Sequence, residues 1–243
     1  MLRASEISLI SLKNGGKQID KINLLPNGSD KTANFITLGS GAQINREALV
    51  ESVQNLDNTQ IIGCFDLFMG PKSFLEKYPD HPSIGYKSIE QLLKTLDTST
   101  SVVFYYPTIP HKQRDLNSLL LLKHFKNSLI LCEKPSHCTA SEAKEFQNQL
   151  KLQGIDPKRF LIGMHSPLHS SRKNFLKLVQ DNKNQIKHID IVFNYPKNPH
   201  ARGDARVYKK PIGGVMLDLG VYVFQLAREL GKVIGFDLLS FDR

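Results

Sequence analysis

Three side chains in this sequence have the types and placement to handle a proton: Lys134, Asp218 and Tyr222. Lys134 stands in Cys132-Glu133-Lys134-Pro135, directly after an apolar run that reads as a buried strand over residues 128–132. Carboxyl ends of parallel strands are where ligands bind. An ammonium there can hydrogen-bond a substrate hydroxyl and stabilise alkoxide charge as it develops. Pro135 fixes the turn, so the lysine is presented consistently. Asp218 and Tyr222 lie in Gly213-Gly214-Val215-Met216-Leu217-Asp218-Leu219-Gly220-Val221-Tyr222. Four apart, they share one face of a helix. A polar pair on an otherwise apolar helix is costly to bury without partners, and a carboxylate plus a phenol facing a lysine makes a proton-handling set. Plainer readings stand beside these: a solvated strand-end lysine, an Asp218 that caps its helix, and a Tyr222 in the core.

A second group of residues fits a dinucleotide. Gly39-Ser40-Gly41-Ala42-Gln43-Ile44 follows a short β run and precedes a helical pattern. A pyrophosphate needs glycine at the turn and at the contact point to reach backbone N–H groups at a helix N-terminus. Gly39 and Gly41 supply both, Ala42 and Gln43 continue the turn, and Ile44 stands where a small third residue is usual. Asp66 closes the next strand, near the ~20-residue interval expected for a carboxylate on the adenosine ribose. It would repel a 2′-phosphate, which favours NAD slightly over NADP; alternatively it caps the following helix. Pro107, Thr108 and His111 follow the third clear strand, where a rigid turn can hold backbone against a nicotinamide ribose, and His111 contacts the ligand or caps the next helix.

These residues need an α/β scaffold to hold them. Apolar runs over 35–38, 59–65, 101–106, 128–132 and 160–164 read as strands. Helical patterns over 71–78, 88–96, 112–125 and 141–150 alternate with them, and a further one follows the glycine turn with Leu49, Val53 and Leu56 on one face. Such alternation predicts a Rossmann-type, doubly wound parallel sheet over 34–160. Residues 1–33, with Asn14-Gly15-Gly16 between two apolar stretches, predict an N-terminal hairpin extension. After 160 the rhythm changes: a helix over 170–179, an alternating strand over 186–195, a polar loop to 210, an apolar helix over 213–230 and a final strand over 233–241. Residues 161–243 are expected to form a partial α/β domain with a mostly antiparallel sheet.

Composition narrows the function classes. The chain has 243 residues, 40% of them hydrophobic and 23% charged, ordinary values for a globular protein. No apolar run approaches the ~20 residues that span a bilayer, and the N-terminus lacks a secretory signal pattern. Three scattered cysteines form no disulfide framework, which predicts a reducing, cytoplasmic setting and buried thiols. The net charge of +9 is spread along the chain, without a Lys/Arg tract interleaved with aromatics. A small-molecule partner is therefore expected, with no nucleic acid, membrane or metal.

In this order, the segments resemble the Gfo/Idh/MocA oxidoreductase family, over about residues 34–235. The most specific parts are Glu133-Lys134-Pro135 and Gly214-x-x-x-Asp218-x-Gly220-x-Tyr222. Pro107-Thr108-x-x-His111 is similar to the family's Pro-Asn-x-x-His, and Thr139-Ala140-Ser141-Glu142-Ala143 to the segment that follows the family lysine. The resemblance implies hydride transfer between NAD or NADP and a sugar, polyol or diol. Lys134 would be the catalytic lysine and Asp218 the carboxylate of the proton-handling set. Tyr222 stands where many members carry His, Arg206 matches a substrate-binding arginine, and Glu133 lies against the cofactor. Ile44 and a second sheet shorter than the family's leave a second expectation open, a non-catalytic dinucleotide-binding relative. The family's second sheet often forms the subunit interface, which implies a possible homo-oligomer.

Overall fold

The computed structural model describes residues 33–39, 49–56, 58–66, 84–107, 112–164, 166–193 and 216–235. They divide into two compact units with the boundary between Gly163 and Met164.

The first unit is built on six parallel strands: β1 (Ala33–Leu38), β2 (Thr59–Phe65), β3 (Ile84–Tyr86), β4 (Val102–Tyr106), β5 (Leu129–Glu133) and β6 (Phe160–Gly163). Their order across the sheet is β3-β2-β1-β4-β5-β6. The chain winds outward from β1 in one direction, then returns to begin again at β4. That reversal opens a crevice between the carboxyl ends of β1 and β4, the place where open α/β sheets bind ligands. Helices α1 (Glu51–Gln54), α2 (Ile89–Thr95), α3 (Lys112–His124) and α4 (Ala140–Leu152) provide the crossovers among the described residues.

The central strands β1, β4 and β5 are mostly apolar because both faces are covered. Successive side chains point to opposite faces, so each strand splits its residues between two cores. Ile36, Leu38, Phe104, Tyr106, Ile130 and Cys132 pack with Leu92 of α2, Leu121 and Leu122 of α3 and Phe146 of α4. Phe35, Ile61, Val103, Tyr105 and Leu131 pack on the other face with Leu49, Val50 and Val53. Where the chain turns back, caps fix the helix starts. Ser88 accepts from the Gln91 amide at α2, and Thr139 and Glu142 form a reciprocal capping box at α4.

One strand escapes the sequence reading. β3 is only three residues, Ile84-Gly85-Tyr86, too short to show a period. It is held by close packing: a Cβ on Gly63 of β2 would lie 2.5 Å from the Tyr86 ring. At the other edge, Arg159 closes the amino-end side of the sheet. Its guanidinium donates to the carbonyls of Ser128 (2.9 Å), Leu122 (3.0 Å) and Phe125 (2.5 Å). Among them is the Leu122 carbonyl, in the last turn of α3, where helix carbonyls lack an intrahelical partner.

Among the described residues, the regular structure of the second unit is helical. α5 (Ser170–Asn182) and α6 (Val221–Ile234) are joined by the ion pair Arg172 Nε–Glu229 Oε2 at 2.9 Å, and Arg172 also donates to Ser166 Oγ. Two sequence expectations are corrected here. Residues 186–193 form no strand, although 186–195 alternates as one should. No neighbouring strand pairs with them among the described residues, and Val192 and Phe193 stand exposed. The expected final strand over 233–241 does not begin at Val233, because Val233 and Ile234 are the last residues of α6; residues 236–241 lie outside the described residues. Gly235 ends that helix in a left-handed conformation, φ 86°. The antiparallel sheet expected over 161–243 is thus absent among the described residues, and the expected hairpin over 1–33 and helix over 71–78 lie outside them, apart from Ala33, which opens β1.

Candidate functional site

Four of the residues singled out by sequence stand at the carboxyl edge of this one sheet. Gly39 follows β1, Asp66 follows β2, Pro107 follows β4, and Lys134 follows β5. Gly39 has φ 115° and its amide donates to the Phe65 carbonyl at 2.7 Å. A side chain would strain that conformation, so the turn after β1 requires glycine. Gly41, Ala42, Gln43, Thr108, His111 and Arg206 lie outside the described residues. Pro107 is buried at the end of β4, and Asp66 is half-buried.

Lys134 is half-buried, and the Lys134–Pro135 peptide bond is cis. The residue before it is tied across the sheet. Tyr105 of β4 donates its hydroxyl to Glu133 Oε1 at 3.0 Å. Register explains the contact: Tyr105 is level with Leu131, so Glu133 lies on the same face one diagonal step further. On the far side, Gly163 of β6 is level with Glu133, and a Cβ there would lie 3.2 Å from Oε1. Burial raises the Glu133 carboxyl above its ordinary value, and the Tyr105 hydrogen bond, a backbone hydrogen bond and the Lys134 charge pull it back. The Tyr105 phenol is held far above its usual range, first by burial and then by the Glu133 charge.

The loop after Lys134 is fixed by a second polar cluster that the sequence reading missed. Arg114, in the first turn of α3, is fully buried and donates to the Ser136 carbonyl. It also pairs with Asp115 Oδ1 at 3.1 Å, while His137 Nε2 stands 3.5 Å from Asp115 Oδ2. Burial opposes charge on Asp115, but the His137 hydrogen bond and the Arg114 charge outweigh it and hold the carboxyl below its ordinary value. His137 packs against the rings of Phe146 and Phe160. A fully buried arginine is rare unless paired; here its pairing ties the helix start to the lysine loop. Nothing in the polar opening of α3 separates Arg114 from a surface charge, which is why sequence alone passed over it.

The cysteines behave as small core residues. Cys64 and Cys132 are fully buried and Cys138 is half-buried. Burial pushes the Cys132 thiol up to about 12, far from a nucleophile's range. No cluster of His, Cys, Asp or Glu suited to a metal exists among the described residues, and no described helix is long and apolar enough to cross a membrane.

In the second unit, Asp218 lies within a π-helical turn, Met216–Gly220, and is 8% exposed. Such turns are rare, and those that occur are frequently at functional sites. Tyr222 follows in the first turn of the α-helix that continues from it. Tyr222 is half-buried and stacks on Phe193, with centroids 5.1 Å apart.

By sequence the chain matches no family model and no curated protein. Solved structures do resemble it. A 3-ketoreductase from Actinomadura kijaniata, in complex with NADP, superposes with a TM-score of 0.61 at 18% identity, over 84% of this chain and 58% of that one. An NAD-binding protein from Listeria innocua gives 0.53 at 19% identity, over 81% and 54%. A dehydrogenase from Chromobacterium violaceum gives 0.55 at 16% identity, over 83% and 55%. The chain is similar in fold to these oxidoreductases of the Gfo/Idh/MocA type. The chain spans little more than half the length of these three relatives in fold.

Proposed function

We propose that the protein is an NAD(P)-dependent oxidoreductase that interconverts a hydroxyl and a carbonyl on a sugar, polyol or diol in the cytoplasm. The observation that carries this reading is the alignment of Gly39, Asp66, Pro107 and Lys134 along the carboxyl edge of a sheet ordered β3-β2-β1-β4-β5-β6. The residues present fit a dinucleotide. The positive φ of Gly39 suits the tight turn that a pyrophosphate loop needs, and Asp66 at the end of β2 would accept the adenosine ribose hydroxyls, which favours NAD. Gly41, Ala42 and Gln43 would continue the pyrophosphate turn, and Pro107, Thr108 and His111 would line the nicotinamide side.

A bound nicotinamide supplies or accepts the hydride. Lys134 holds the substrate oxygen and exchanges its proton, accepting it as an amine during oxidation and returning it as an ammonium during reduction. Glu133, fixed between Tyr105 and Gly163, keeps a carboxylate beside that lysine. The motif resemblance assigns Asp218 and Tyr222 to proton handling, and Arg206 to substrate binding.

Lys134→Met tests the reading. Turnover of the preferred substrate, found by screening sugars, polyols and diols for NAD(P)H formation, should fall by about 10²- to 10⁴-fold. NADH affinity, followed by its fluorescence, should change little. Full activity in the variant would remove Lys134 from the mechanism, and a native protein that binds neither NADH nor NADPH would remove the function itself.

A further inference from the structure

Most members of the buried polar set at the end of β5 are accounted for by holding a loop or filling a core. Tyr105 is not. It is a large phenol, 4% exposed, in the middle of an apolar strand. Such a hydroxyl is costly to bury unless it has a partner, and a phenylalanine would pack in its place. Its partner is the side chain immediately before Lys134. The link crosses from β4 to β5 along a diagonal of one sheet face, while β6 leaves room at Gly163 for the carboxylate to take that orientation. Three adjacent strands therefore agree on where Glu133 Oε1 sits.

We propose that Tyr105 is a positioning residue for the Lys134 site, fixing the Glu133 carboxylate beside the lysine through its hydroxyl hydrogen bond. The proposal rests on reading Lys134 as the proton-handling residue. The phenol has one proton to donate and donates it to a carboxylate oxygen, a charge-assisted bond that is shorter and stronger than a neutral one. Without that donor, the buried Glu133 loses part of what keeps it ionised. A neutral Glu133 no longer attracts the Lys134 ammonium, which leaves that lysine more open to an acylating reagent.

The test uses the full chain and needs neither substrate nor cofactor. The rate at which acetic anhydride acetylates Lys134 near neutral pH is read by peptide mass spectrometry, with Lys158 as the internal reference. Tyr105→Phe and Glu133→Gln should each accelerate labelling of Lys134 relative to Lys158, and the double variant should go no faster than Glu133→Gln alone. In ¹³C-glutamate spectra, the signal that Glu133→Gln removes should titrate at higher pH in Tyr105→Phe. Where Tyr105→Phe does not fold, 3-fluorotyrosine placed at position 105, a stronger donor, should move that titration to lower pH. Unchanged labelling and an unmoved Glu133 titration would overturn the proposal, as would fully additive effects of the two substitutions. Failure of the oxidoreductase reading registers separately, as an absence of NADH and NADPH binding in a protein whose Tyr105–Glu133 coupling is intact.

Discussion

The two units of this chain hold themselves together by different means. In the first, a parallel sheet buries both faces, and residues such as Phe104, Leu122 and Ile130 have no exposure at all. In the second, Val179 and Leu230 are the buried aliphatic side chains among the described residues. Phe175, Leu178, Val192, Phe193, Met216 and Phe224 remain exposed, and a half-buried ion pair, Arg172–Glu229, joins the two helices. Close packing fixes positions to a fraction of an ångström because interiors tolerate few voids. The unit that carries Gly39, Asp66, Pro107 and Lys134 is thus the one whose geometry its own core dictates. The unit that carries Asp218 and Tyr222 depends more on polar contacts, whose contribution varies with solvent and pH.

Core truncation should break this contrast most sharply if it is wrong. Leu122→Ala in the first unit removes a fully buried side chain and should cost about 2–5 kcal/mol in urea unfolding. A loss below 1 kcal/mol would mean that the first unit is not the better packed. Next in size, Gly39→Ala forces a side chain into φ 115° and should cost about 1–3 kcal/mol. It should also weaken NADH binding measurably by fluorescence titration, so unaltered affinity would detach Gly39 from the cofactor. Asp115 sharpens the electrostatic side. Its carboxyl sits below its ordinary value, so its contribution to stability is complete above the normal carboxylate range and is lost as pH falls through the lowered value. Asp115→Asn should flatten the acid limb of stability against pH, and an unchanged limb would show that the Arg114–Asp115–His137 cluster carries no such linkage. The smallest effect belongs to the second unit: Leu178→Ser, at a side chain 61% exposed, should shift stability by less than about 0.5 kcal/mol.

The same contrast marks what could be read from the sequence. Strands covered on both faces appear as unbroken apolar runs, so β1, β2, β4, β5 and β6 were legible, and with them the ends that carry Gly39, Asp66 and Lys134. β3 was not, because three residues around Gly85 carry no period and its place is set by the Gly63–Tyr86 contact. In the second unit, alternation at Ile189, Ile191 and Phe193 suggested a strand, but alternation states only which residues would share a face; a strand also needs a neighbour. Val233 and Ile234 suggested another through their branched side chains, and helix packing overrode that weak preference. Gly235 was the visible stop signal. The cluster around Lys134 was half legible. Motif residues announce themselves by type and spacing, whereas Tyr105, Arg114, Asp115 and His137 act through register and burial, which exist only once β4, β5 and α3 are side by side.

Arg159 has a consequence for how the molecule breathes. Its guanidinium gathers carbonyls from 122, 125 and 128, so the end of α3, the start of β5 and the entry to β6 share a single side chain as their latch. Segments latched in this way open together rather than one at a time. Amide hydrogen exchange should therefore report one cooperative unit across these three stretches, and Arg159→Ala should split it into separately fraying pieces while the far end of the sheet, where the lysine sits, keeps its protection.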